Sequence, residues 1–413
     1  MRVDEAMEDA SVEAAVSWLA ESAATITELQ IELSEIAAPT GNEHARAEVV
    51  AHWLRTAGCE VHRDAAGNVL ARRAGREGKP ALGLSAHLDS VFDIRQELRV
   101  MRPGESSPYA EGITVPPGEL HGPGIADDAA GLAALIGIAQ AMASASVVTR
   151  HDVLLIATVG EEGRGNLKGA RHLFARREGK ALSGFITIDH PDANVIVNRG
   201  VGSRRYAVEF FGPGGHSWSD YGLYNPAVAM ALAAQRVQNL KVPKRVRSSV
   251  NVGVMSAGRA VNAIPERAAM EVDLRSESNG TLDRLERDLR KAVAAGQSEE
   301  LAERPSAAAR WEMRSIGERP AGETPETEAV VVAARRALER EGFKPQLTAS
   351  STDANAAMAA GVPAICVSWG GRSGNQHSAR EFYAPAGRER SLAAILRMVA
   401  ELAGLTEAGN GRS

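Results

Sequence analysis

Cysteine is nearly missing: the 413-residue chain has two, Cys59 and Cys366. Two thiols cannot build a disulfide framework or a four-thiolate zinc site, so a reducing compartment is expected. A basic surplus is lacking as well. Lys and Arg number 47 against 52 Asp and Glu, for a net charge of −5 spread along the chain, which leaves no electrostatic footprint for nucleic acid. Nor is there a segment suited to a leader or a membrane span. The N-terminus is acidic where a signal peptide would be basic. The longest apolar stretch, Gly131 to Val148, is interrupted by Gln140, Ser144 and Ser146. Its Ala and Gly content reads as a buried helix, so no membrane partner and a cytoplasmic location are expected. Repeats and low-complexity tracts are also absent. What the chain does have is ten histidines and many carboxylates, the material for a metal site of nitrogen and oxygen donors.

The length exceeds what one compact core accommodates and predicts two domains. Apolar runs at residues 81–86, 152–159, 184–188 and 364–368 alternate with helical patterns at 128–144, 168–177 and 352–360. Continuous apolar strands between helices imply a layered α/β domain with a mostly parallel sheet. Between about residues 199 and 309 the texture changes. Segments 204–211 and 268–275 alternate polar and apolar residues, as half-exposed strands do, and amphipathic helices are expected at 225–240 and 280–295. This predicts an open-faced α/β sandwich inserted into the first domain, with bounds of 1–198 and 313–413 for the outer domain and 199–312 for the insertion. The return linker is expected within 296–325.

The chemistry lies where the apolar strands end. Residues 81–86 lead to His87-Leu88-Asp89, residues 152–159 to Gly160-Glu161-Glu162, and residues 184–188 to Asp189. Residues 364–368 lead through a glycine-rich loop to His377. A fifth cluster, Asp127-Asp128, opens the helix at 128. Each alone suits a helix cap, a loop charge or a structural histidine. Together they converge on the carboxyl edge of the sheet, where α/β folds bind ligands. Two divalent ions need about seven to eight ligand contacts, some from a shared carboxylate and water. In that scheme His87 and Asp189 hold one ion, Glu162 and His377 the other, and Asp127 bridges them. Such donors suit zinc, with cobalt or manganese as alternatives. Asp89 is expected to accept the other ring N–H of His87 and fix its tautomer. Glu161 falls outside both ligand sets and is placed as the general base for water.

The motifs Ser85-Ala-His87-Leu-Asp89, Gly122-Pro-Gly-Ile-Ala-Asp127-Asp128, Val159-Gly-Glu161-Glu162, Ile188-Asp189 and His377 resemble the M20 family of co-catalytic zinc peptidases and deacylases. The resemblance implies a three-layer α/β/α catalytic domain carrying a ferredoxin-like lid, with a homodimer formed through the lid. It also implies a cis peptide between Asp127 and Asp128. Gly214-Gly215-His216-Ser217 matches a lid motif whose histidine stabilises the oxyanion in the neighbouring subunit. Asn262 and Arg275 match lid motifs that hold substrate. Asp189, where other branches have Glu, together with Ser351-Thr352-Asp353, is similar to the tripeptide aminopeptidase branch, and places Thr352 near substrate. A short-peptide exopeptidase is the expected function. An N-acyl-amino-acid deacylase or carboxypeptidase and, in a different class, an inactive binding homologue are the alternatives. Ala129 departs from the lysine common in the family at that position, and the long loop from Asp93 to Leu120 has no assigned role.

Overall fold

The computed structural model describes residues 9–109 and 112–406. Residues 1–8 and 407–413, which the expected domain bounds include, and 110–111 of the Asp93–Leu120 loop lie outside the described residues. The chain divides into two compact units, residues 1–199 with 323–413, and residues 200–322.

The first unit is organised by one mixed sheet. Its strands run in the order Glu60–Arg63, Val69–Arg73, His151–Thr158, Gly78–His87, Leu182–His190, Ala364–Ser368, Val195–Gly200. The four strands His151–Thr158, Gly78–His87, Leu182–His190 and Ala364–Ser368 are mutually parallel. The apolar run at 153–157 shows why the sheet is covered on both sides. Val153, Leu155 and Ala157 pack with the helices Ala10–Glu21, Ala23–Glu35, His44–Thr56, Ala129–Ser144 and Arg388–Ala403. Leu154 and Ile156 face the opposite way, towards Leu173, Phe174 and Ala357 of the helices Lys168–Ala175 and Ala354–Ala359. Period-two alternation sends successive side chains to opposite faces, so an unbroken apolar strand is the signature of a sheet buried on both. The layered α/β expectation holds. The helix Ala129–Ser144 is buried almost throughout, and among the described residues no helix is long and apolar enough to cross a membrane.

The chain leaves this sheet at the end of the strand Val195–Gly200 and returns through the short strand Gly322–Glu323, which lies beside it. The Thr324 N–H donates to the Asn198 carbonyl at 2.8 Å, and the Asn198 side-chain amide donates to the Thr324 carbonyl at 3.0 Å.

The second unit has a four-stranded antiparallel sheet in the order Ser248–Ala257, Arg267–Ser276, Gly202–Phe211, Arg310–Arg319. Ala268, Met270, Val272 and Leu274 alternate inward and pack with the helices Pro226–Gln238 and Asn279–Glu303. The second helix runs past residue 295, where the sequence pattern suggested an end. Glu300 is buried there and accepts from the Asn225 N–H at 3.0 Å, which ties the last turns to the other helix. The strand Arg310–Arg319 pairs along its length with Gly202–Phe211. The expected return at residue 313 therefore falls inside a strand, and the second unit extends to residue 322.

Candidate metal centre

Parallel pairing brings the chemistry together. His87 is the last residue of its strand and lies opposite Thr158. Glu161 and Glu162 therefore follow directly from the end of the neighbouring strand. Asp189 lies in the strand on the other side of His87, near that strand's carboxyl end. His377 follows the strand Ala364–Ser368, in the loop between Arg372–Gly374 and Phe382–Ala384. Asp127 precedes the helix Ala129–Ser144, and the Asp127–Asp128 peptide is cis, as expected.

The Asp127 carboxylate lies between the two imidazoles. Its Oδ1 is 3.0 Å from His87 Nε2 and its Oδ2 is 3.1 Å from His377 Nε2. Asp189 Oδ1 lies 3.8 Å from His87 Nε2, and Glu162 Oε1 lies 2.9 Å from His377 Nε2. Three sets of donor atoms each converge within 4.8 Å: His87, Asp127 and Asp189; Asp127, Glu162 and His377; and His87, Glu161 and Glu162. The first two share Asp127, whose Oδ1 faces His87 and whose Oδ2 faces His377. The residues fit a pair of hard or borderline divalent cations.

Electrostatics point the same way. Burial disfavours a charged His87, but the surrounding Asp128, Asp127, Asp89 and Asp189 carboxyls lift its pKa well above the ordinary imidazole value. Burial drives Asp189 well above the carboxylate range, and the neighbouring Asp128, Asp127 and Glu161 push it further. Contacts with Asp127 and Glu162 raise His377 to about 10. Asp127 is held below its ordinary value, because hydrogen bonds to His377 and His87 outweigh its burial. So many carboxyls in a small buried volume require protons or cations for balance.

The tautomer of His87 follows from its surroundings. Nδ1 lies 3.0 Å from the Asp89 carbonyl oxygen, which can only accept. Nδ1 therefore carries a proton, and Nε2 is the ring nitrogen turned towards Asp127 and Asp189. Asp89 thus meets Nδ1 more closely through its carbonyl than through its carboxylate, which lies 3.6 Å away and is also engaged elsewhere. It accepts from the Glu161 N–H at 2.9 Å, the Glu162 N–H at 3.0 Å and the Thr40 hydroxyl at 2.8 Å. Asp89 thus fixes the turn bearing both glutamates. Glu43 supports the same turn by accepting from the Gly160 N–H at 3.1 Å.

Asp128 anchors the opposite side. One oxygen accepts from the His87 N–H at 2.8 Å and the other from the Gly131 N–H at 3.1 Å, capping the helix. Gly131 has no room for a side chain: a β-carbon there would lie 2.1 Å from Asp128 Oδ1 and 2.3 Å from the Ile188 carbonyl oxygen. Gly131→Ala is expected to destabilise the first unit by about 1–3 kcal/mol through overpacking, read as a lower thermal midpoint.

Two supporting residues escaped the sequence reading. Arg46 is buried and donates to the Leu88 carbonyl at 2.9 Å and the Ile36 carbonyl at 2.8 Å. Burial lowers its pKa to about 10, against the pull of Asp89 and Asp128. Glu381, also buried, accepts from the Gly124, Ala126 and Asp127 N–H groups. Neither position carries a sequence signal, since each is recognised only by the backbone groups it meets.

The remaining candidates divide between the units. Thr352 is 3% exposed and its hydroxyl accepts from the Ala354 N–H at 3.2 Å. It shapes the turn before the helix Ala354–Ala359. In the second unit His216 pairs with Ala263, and the Ser217 N–H donates to the Asn262 carbonyl at 3.0 Å, so His216 and Asn262 belong to one loop pair. His216 is exposed. Its Nδ1 accepts from the Trp218 N–H at 3.2 Å, which leaves the ring proton on Nε2. Arg275 lies apart from them, at the far end of the strand Arg267–Ser276, with Nε 2.7 Å from Asp273 Oδ2.

The model of peptidase family M20/M25/M40 matches residues 83–404. No curated protein matches the chain in sequence. Aminopeptidase PepT from Bacillus cereus is similar in structure, with TM-score 0.73 and 19% identity, covering 92% of this chain and 99% of that one. A tripeptidase from Staphylococcus aureus has TM-score 0.74 and 18% identity, covering 92% and 98%. A dinuclear metal-binding peptidase from Bacillus subtilis has TM-score 0.64 and 18% identity, covering 92% and 97%. At these identities the likeness is one of fold.

Proposed function

This chain belongs to peptidase family M20/M25/M40, and on that basis we propose that it is a di-metal exopeptidase acting on short peptides. The observation that carries this reading is the Asp127 carboxylate set between His87 and His377, with Asp189 and Glu162 completing the two donor sets. His87, Asp127 and Asp189 would hold one ion, and Asp127, Glu162 and His377 the other. Zinc suits these donors, with cobalt and manganese as alternatives. When bound, the pair would supply Lewis-acid polarisation of the scissile carbonyl and an attacking water of lowered pKa.

The chain's own residues do the rest. Glu161 lies outside the two ion-holding sets, with its carboxyl beside His87 and Glu162. It takes the proton from the attacking water and delivers it to the departing amine. Asp89 holds Glu161 and Glu162 by their backbone N–H groups, so the base and a ligand are positioned by one carboxylate. His216 donates from Nε2 to the oxyanion of the neighbouring subunit, and Asn262 and Arg275 hold the substrate backbone or carboxylate. The tautomer of His216 supports this role, because Nδ1 is already an acceptor and Nε2–H is left as an outward donor.

A homodimer through the second unit completes the proposal. The strand Ser248–Ala257 ends its sheet, has no charged residue, and exposes Val254 and Met255. A long, uncharged edge strand invites pairing with another copy. Free-amine substrates are favoured by Asp189 and by the likeness to aminopeptidase and tripeptidase structures.

The test is a substrate screen on protein stripped with a chelator and reloaded with zinc, cobalt or manganese. Stripping is expected to abolish hydrolysis and reloading to restore it, with free-amine di- and tripeptides cleaved faster than N-blocked ones. Preference for N-acyl amino acids would assign a deacylase instead. No metal-dependent hydrolysis across either panel would leave a binding homologue.

A further inference from the structure

Glu381 makes contacts out of proportion to its place in a short loop. Its side chain is fully buried. Oε1 accepts from the Ala126 N–H at 2.8 Å and the Asp127 N–H at 2.9 Å, and Oε2 accepts from the Gly124 N–H at 3.1 Å. Its backbone carbonyl accepts from the Gly122 N–H at 2.9 Å. One residue therefore binds four amides of the loop that delivers Asp127. The next residue, Phe382, pairs with His121, which continues the attachment as a short ladder. Glu381 also follows His377 by four positions and borders the strand that closes the His377 loop. It thus joins two segments, one bearing Asp127 and the other His377, whose facing atoms lie 3.1 Å apart.

The other half of the centre is held by different means. His87 is fixed by the Asp128 carboxylate and the Asp89 carbonyl, and Asp189 by its strand. Of the donors in that half, only the shared Asp127 meets Glu381, and it does so through its backbone N–H.

We propose that Glu381 is a positioning residue that sets the Asp127–His377 separation, and so governs the affinity of the Glu162–His377 ion position selectively. This rests on the di-metal reading given above. A carboxyl group suits the place, because backbone amides only donate and both carboxyl oxygens accept here. Groups that orient metal ligands typically change affinity by about 10–100-fold when removed.

The experiment is a cobalt(II) titration of the chelator-stripped full-length protein, followed by visible absorption and calorimetry. Wild type is expected to bind two ions. In Glu381→Ala one of the two ions should lose about 10–100-fold in affinity, while the other stays within about threefold. Glu381→Gln keeps an oxygen for Ala126 and Asp127 but turns an amide N–H₂ towards the Gly124 N–H, so an intermediate loss is expected. If Glu381→Ala does not fold, Glu381→Gln alone decides: selective weakening supports the assignment, and unchanged binding overturns it. Two ions bound with wild-type affinity in Glu381→Ala, or both weakened equally, would overturn it too. Fewer than two ions on the wild-type protein would instead remove the di-metal reading, and this proposal with it, whatever the variants show.

Discussion

Glu161→Gln is expected to lower kcat by about 10³–10⁴, near the upper end of what general acid–base catalysis contributes, with metal content unchanged. The expectation follows from the separation of duties on one turn. Glu162 Oε1 faces His377 at 2.9 Å, whereas Glu161 belongs to neither set that shares Asp127 and converges instead with His87 and Glu162. Gln at 161 keeps the size and the backbone N–H that Asp89 accepts at 2.9 Å, so the turn should persist. What is lost is the ability to take a proton from water and return it to the amine. Metal analysis and steady-state kinetics on the same sample separate the outcomes. Loss of an ion together with activity would make Glu161 a ligand, and near-normal turnover would end its assignment as base.

His216→Ala is expected to reduce kcat by about 10²–10³, the usual cost of removing one oxyanion donor, with both ions retained. The variant leaves the His216–Ala263 backbone pairing available and removes only the Nε2 donor. Because the donor is proposed to act in the neighbouring subunit, the decisive measurement is complementation. Glu161→Gln and His216→Ala chains, each nearly inactive, are mixed under conditions that exchange subunits. A mixed dimer contains one site with Glu161 from one chain and His216 from the other, so activity should reappear. If His216 acted within its own chain, no mixture would recover turnover.

The candidate donors were legible because each strand announces its end: an apolar run stops and a His, Asp or Glu follows. His87, Glu162 and Asp189 are of this kind, and Asp127 was marked by its place at a helix start. What could not be read was how these groups are held. Asp89 was expected to use its carboxylate on His87 and brings its carbonyl closer to the ring, because a two-residue separation admits either until the backbone direction is known. Glu381 and Arg46 act on peptide groups, which every residue possesses, so no residue pattern points to their partners. Thr352 matched a family motif and is buried in a turn. The strand Arg310–Arg319 was mistaken for linker because charged residues crowd it. Trp311 and Met313 are partly buried and pack against the core of the second unit.

The two hydrogen bonds between Asn198 and Thr324 carry an evolutionary corollary. They close the first unit at the position where the chain leaves it and comes back. For the larger sheet, everything from residue 200 to 322 is topologically a loop, however elaborately that loop is folded. Loop length is a weak thermodynamic burden, about 0.6 kcal/mol for each doubling. The inserted module, with its own core, can thus diverge, lengthen or be exchanged without disturbing the strand ends that bear His87, Asp189 and Glu162. One hydrolytic centre could in this way be refitted to new substrates by altering a part of the chain that supplies none of its ligands.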